Sequence, residues 1–164
     1  MRIVALISHR RQVRVRGDRN EWFNEQVLLE KKNAQQPMTE PAKRIRITVG
    51  GIRLEAELKG TKTAGEVYAA LPVQAPINTW GEEFYFKLPG VKDYRETATT
   101  QVKIGDVAYW GAGQVLAIFF GRTPMSMGPD PVPADRVNVI GRIVGDATQL
   151  RRVMESPTIH VERV

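Results

Sequence analysis

The chain of 164 residues is long enough for one ordinary domain with a real core and too short for two comfortable ones. It has no cysteine, which excludes thiol nucleophiles, disulfides and thiolate metal sites, and its two histidines, His9 and His160, stand at opposite ends, which argues against a histidine metal cluster. The formal charge of +6 is unevenly spread: residues 1–43 hold nine Lys/Arg against five Asp/Glu, and residues 44–164 hold fifteen against thirteen. The body is thus nearly neutral. Without a basic stripe interleaved with aromatics, it gives no support to nucleic-acid binding by the folded domain.

Residues 1–43 read as an extension. The apolar run IVALI near the start is too short for the core of a secretory signal, and no later stretch reaches membrane-spanning length, so no membrane partner and a cytoplasmic location are expected. EWFNEQVLLEKK has the spacing of one short amphipathic helix, and EKKNAQQPMTEPAK is polar and proline-bearing, as linkers are. The segment reads as a disordered, solvated tail, or as the product of an upstream start codon, since Met38 opens a short natural leader, MTEPAK, into the first patterned run.

The domain, residues 44–164, begins where the pattern changes. RIRITV and IRLEAEL alternate apolar and polar residues around Gly50-Gly51, which predicts a hairpin. Thr63 and Glu66 have capping-box spacing, Ala64, Val67, Tyr68 and Leu71 share one helical face, and Pro72 closes the segment, so a helix over GTKTAGEVYAAL is predicted. Strands are predicted in TWGEEFYFKL, QVKIGDVAYW, QVLAIFFG and VNVIGRIVGD, then a short helix in ATQLRRVMES and a last strand in TIHVERV. The class is mainly β with one or two short helices, and a closed barrel is the arrangement that would remove exposed edges.

This order of pieces resembles the cyclophilins. KTAGEVYAAL is similar to their first helix, VNVIGRIVGDATQLRRVMESPTIHVERV to their VVFGKV strand with the helix and last strand behind it, and QVLAIFFG stands in the place of the strand ending in QFF. TWGEEFYF and GDVAYW through IFFGRTP are closer still to small prokaryotic cyclophilin-like proteins of unestablished function. The resemblance implies a cyclophilin-like barrel and makes prolyl cis/trans isomerisation the activity to weigh. It also places the family's catalytic residues: the glutamine of QFF falls on Ile118, the second phenylalanine on Phe120, the histidine before VVFG on Val137, and the string carrying the essential arginine has no counterpart in INTWGEEFYF. A guanidinium that stabilises a twisted amide has no substitute in Trp80 or Glu82.

The candidate ligand-binding residues are Trp80, Glu82, Tyr109, Trp110, Phe120 and Arg122, with no metal, no cofactor and no assigned catalytic residue. Each has a plainer reading: the tryptophans as large packing residues, Arg122 as a surface tie at the end of VLAIFFG. Glu82 and Glu83 face opposite ways along a strand and so are not an acid/base pair. GAG at residues 111–113 reads as a hairpin loop, not a dinucleotide fingerprint. Two functions are compatible with these residues: a binding module whose aromatic cleft holds a small anionic molecule or a proline-containing peptide without chemistry, or a prolyl isomerase with a rebuilt polar site. The missing arginine and glutamine favour the first, and if the protein is an enzyme, prolyl cis/trans isomerisation is the activity the resemblance implies. The folded unit is expected to start between Met38 and Ile45; limited proteolysis should leave a resistant core beginning there, and a core reaching back into residues 1–30 would overturn the boundary.

Overall fold

Alternation in the first two runs produces the predicted hairpin. In the computed structural model, which describes residues 41–164, strand β1 (Arg44–Val49) pairs antiparallel with β2 (Ile52–Leu58), Val49 lying opposite Ile52. Gly50 and Gly51 both take positive φ, the backbone a two-residue turn of this hand requires. Ile45, Ile47, Val49, Leu54, Ala56 and Leu58 are buried on one side, while Arg44 and Arg46 reach Glu55, Glu57 and Glu162 on the other. Those exposed pairs contribute little to stability. The extension assigned to residues 1–43 lies, up to residue 40, outside the described residues.

Helix α1 (Lys62–Ala70) starts earlier than its spacing suggests. Thr61, not Thr63, is its cap, its hydroxyl accepting from the Ala64 N–H at 3.3 Å. Thr63 is unavailable because its own hydroxyl is engaged elsewhere: it donates to Glu96 at 2.7 Å and accepts from the Tyr94 N–H and the Asn138 side-chain amide, each at 2.9 Å. The predicted apolar face holds, with Ala64, Val67 and Leu71 buried in the core and Tyr68 packed against it.

The remaining elements are strands β3 (Val73–Pro76), β4 (Asn78–Thr79), β5 (Glu83–Lys87), β6 (Ala98–Thr99), β7 (Asp106–Trp110), β8 (Val115–Phe119) and β9 (Val137–Val144), a 3-10 helix (Ala147–Val153), and β10 (Thr158–Arg163). Strands β5, β7, β8, β9 and β10 fall within predicted runs; the short β3, β4 and β6 carry too few residues to show a period. All pairings are antiparallel, and the sheet runs β3-β10-β1-β2-β9-β7-β8-β5-β4, with β6 beside β9. The closed barrel expected from the sequence is not completed by hydrogen bonds: β3 and β4 stand at the two ends of the path, and Ile77 alone separates them in the chain. Pro76 at the end of β3 lacks the N–H a further ladder would need.

Two apolar clusters cover the two faces of β5-β8-β7-β9. Phe84, Phe86, Tyr109, Leu116, Ile118 and Phe120 belong to the main core, Phe84 and Phe120 with ring centres 4.6 Å apart. Ala108, Ala117, Phe119, Val137 and Val139 form a smaller cluster on the opposite face, with Tyr85 and Trp110 partly buried against it. Every residue of β8 is therefore buried, which is why VLAIFF reads as a continuous apolar run rather than an alternation. A register shift on β9 opposite Val107 and Ala108 leaves Val137 and Val139 on the smaller cluster while Ile140 and Ile143, an odd step apart, both reach the main core.

One carboxylate ties the end of this unit. Glu82 donates its N–H to the Arg122 carbonyl at 2.8 Å, and its carbonyl accepts from the Phe120 N–H at 3.0 Å. Its side chain accepts from the Arg122 N–H at 3.0 Å and pairs with Arg151 of the 3-10 helix. A Cβ on Gly121 would stand 1.8 Å from the Glu82 carboxylate, so glycine is what lets the two strand ends approach. Glu82→Ala should destabilise the fold by about 1.5 to 3 kcal/mol, as loss of a charge-assisted contact does; urea denaturation measures it, and an unchanged midpoint would show the tie to be idle.

Candidate functional site

On the face carrying the smaller cluster, the chain leaves a half-open cavity of about 240 Å³. Trp80, from the β4-β5 turn, and Glu83 and Tyr85, from β5, form one wall; Val115 and Ala117 of β8 form the floor; Trp110 and the segment Pro133 to Val137 form the other wall. The Trp80 main-chain N–H donates to the Glu83 carbonyl at 3.0 Å, which closes the turn into β5. Opposite, the Trp110 indole N–H donates to Asp135 at 3.2 Å. Both tryptophans are only partly buried.

Glu83 is the exceptional group. It is 8 % exposed, and its Oε2 is the one buried side-chain oxygen or nitrogen among the described residues without a hydrogen-bond partner. Burial without a compensating charge pushes its carboxyl from the ordinary 4.5 up to about 7. Near neutrality the cavity thus contains a carboxyl poised between neutral and charged forms, beside apolar and aromatic walls.

A second cleft of about 370 Å³ adjoins the first and shares Trp110 and Asp135 with it. Arg95 and Arg136 line it together with Asp93. Beneath it, Asp93 accepts from the Asn138 amide at 3.0 Å and from the Gly111 N–H at 3.2 Å, so this carboxylate is committed to holding the loop.

Of the six candidate residues, the structure brings only Trp80 and Trp110 to the cavity. Tyr109 and Phe120 point the other way: both are fully buried in the main core, and the Tyr109 hydroxyl donates to the Leu88 carbonyl at 2.9 Å. The parity of a strand decides this, since Phe119 and Trp110, one residue along, are on the cavity face. Ile118 shares the inward side with Phe120, so the pair aligned with the cyclophilin glutamine and phenylalanine builds core and not cleft. Glu82 is occupied by Arg151 and the Arg122 backbone, and the Arg122 guanidinium donates to the Ser126 carbonyl at 3.2 Å, outside the cavity lining.

Glu83, Tyr85 and Asp135 are what sequence reasoning passed over. For Glu83 a signal existed: it shares the face of Tyr85, opposite the inward Phe84 and Phe86, in a strand destined to be covered on both sides. Asp135 lies in GRTPMSMGPDPVPADR, where no periodicity places anything.

With this geometry in view, the comparisons agree with the architecture. The sequence model of the family described as cyclophilin-like matches residues 43–162, and the chain belongs to that family. The fold is similar to the solution structure of a hypothetical protein from Archaeoglobus fulgidus, at 36 % identity and a TM-score of 0.64, over 77 % of this chain and 100 % of that one. No curated protein matches the chain. No helix among the described residues is long and apolar enough to cross a membrane, and among them no group of three metal-ligating side chains comes together.

Glu83 also sets a pH dependence of stability. Its folded-state value lies above its unfolded one, so the folded protein holds a proton that the unfolded chain releases between about 4.5 and 7; stability falls as pH rises through that window and is level above it. Glu83→Gln removes the burden. Its stability relative to the parent should be unchanged at pH 4 and greater at pH 8, by roughly 3 kcal/mol at most. Equal melting-point shifts at both pH values would mean Glu83 is ordinarily solvated.

Proposed function

We propose that this protein is a binding module whose ligand sits in the cavity between Trp80 and Trp110, and that it does not catalyse prolyl isomerisation. The observation that carries the reading is the cavity itself: a half-open, mainly apolar recess lined by two tryptophans, a tyrosine and few polar groups, which is the ordinary makeup of a small-molecule or peptide-side-chain site. Packed over a rigid four-strand unit, its walls are largely preformed, which limits the ordering cost of binding.

The isomerase reading is weaker on three residues. Val137, aligned with the family's histidine, does line the cavity but has no polar side-chain atom; Ile118, aligned with its glutamine, is buried in the core; and among the described residues no guanidinium lines the cavity. The groups that would stabilise a twisted amide are therefore lacking around the space where one would fit. The anionic ligand suggested by Arg122 loses its basis as well, because the ionisable groups of the lining are Glu83, Asp135 and the Tyr85 phenol.

Two measurements test this. In an NMR screen of small aromatic and aliphatic fragments, binders should move the Trp80 and Trp110 indole N–H signals together, and binders that consistently leave both in place would remove the cavity from consideration. In a protease-coupled assay on a proline-containing tetrapeptide, the protein should not raise the isomerisation rate above the thermal rate; turnover comparable to an ordinary cyclophilin's would reverse the ranking.

A further inference from the structure

Resting on the reading of the cavity as a binding site, we propose that its ligand is an organic cation, an alkylated ammonium group seated between Trp80, Tyr85 and Trp110 with Glu83 as its counter-ion. Three aromatic side chains and two carboxyls line the recess, and among the described residues no Lys, Arg or His does. Ring faces attract cations through their quadrupole, and alkylated ammonium ions lose less on leaving water than a bare ammonium, so apolar aromatic walls suit them. Asp135 is held by the Trp110 indole at 3.2 Å and contributes negative potential from the rim.

The unpartnered oxygen supplies the independent observation. A buried Oε2 with no donor within reach is a cost that folding alone leaves unrelieved. Among the described residues no cation pairs with it: Arg122 is turned to Ser126, and Arg151 to Glu82. From β8, paired with β5, the cavity receives Val115 and Ala117, from β7, on the far side of β8, it receives Trp110, and from residues 133–137 only Asp135 of the lining is ionisable. A positive ligand in the recess would supply a counter-charge to this carboxyl and stabilise its ionised form. A neutral ligand would leave it protonated, and an anion would oppose it.

Because the charge of a quaternary ammonium does not change with pH, any pH dependence of its binding belongs to the protein. With the Glu83 carboxyl raised to about 7 by burial, the binding-competent ionised fraction grows about tenfold between pH 6 and pH 8. Such a head group can come from a free quaternary amine or from a trimethylated lysine side chain, so three probes are needed. These are choline, its neutral isostere 3,3-dimethyl-1-butanol, and a short peptide carrying trimethyllysine, each titrated against the full chain while the Trp80 and Trp110 indole signals are followed.

The expected result is that choline or the peptide shifts both indoles, binds at least tenfold tighter than the neutral isostere, and binds about tenfold tighter at pH 8 than at pH 6. Glu83→Gln should abolish the pH dependence and narrow the preference for choline over the isostere to what the rings and Asp135 supply. Tighter binding of the peptide than of choline would assign the cation to a protein side chain, and the reverse to a free amine. If the isostere binds as well as choline, the cation inference falls while the cavity reading stands. If neither cationic probe moves an indole that the fragment screen does move, the inference falls in the same way. If Glu83→Gln keeps the pH dependence, Glu83 is not the counter-ion.

Discussion

The arrangement of this domain hangs on the contact between the start of β5 and the end of β8. Main-chain bonds in both directions between Glu82 and the Phe120 to Arg122 segment, a side-chain bond from the same glutamate and its pairing with Arg151 converge on one residue beside a glycine. Trp80 and Glu83 flank that residue, so the position of the cavity wall depends on where Glu82 is held. The two adjacent glutamates divide the labour: one closes the scaffold with both carboxylate oxygens used, while the other lines the recess and keeps a buried oxygen without a partner.

Such a division is consistent with a site built on rigid elements. The carboxyl that remains unsatisfied carries a desolvation penalty that the doubly covered strand unit can sustain, because β8 and its neighbours bury apolar side chains on both faces. Local departures from ideal chemistry in otherwise well-satisfied structures tend to collect where a ligand acts. Here the departure and the concavity coincide.

Much of the fold is legible in the residues alone. The Gly50-Gly51 hairpin, the helix closed by Pro72 and the long strands have periods that local physics enforces, and the order of these pieces points to the family. The cap at Thr61 is hidden because Thr63 has the better spacing and is diverted by Glu96 and Asn138, contacts 33 and 75 residues away. The site is less legible for a related reason. In a strand buried on both sides, hydrophobicity ceases to mark which face is inward, so Phe120 and Tyr109 cannot be told from Phe119 and Trp110. Arg122 looks free in sequence, where the Ser126 carbonyl four residues on is invisible.

The unfinished seam between β3 and β4 bears on how the molecule meets copies of itself. An open sheet normally offers two rows of unused backbone donors and acceptors to any passing strand. Here one margin is four residues long and ends in proline, the other is two residues long, and the chain passes directly from one to the other at Ile77, whose N–H is already given to the Pro157 carbonyl at 3.0 Å. Neither margin is long enough to template a growing ladder. The curl thus obtains the resistance to strand-by-strand accretion that a sealed cylinder would have, without requiring its last hydrogen bonds.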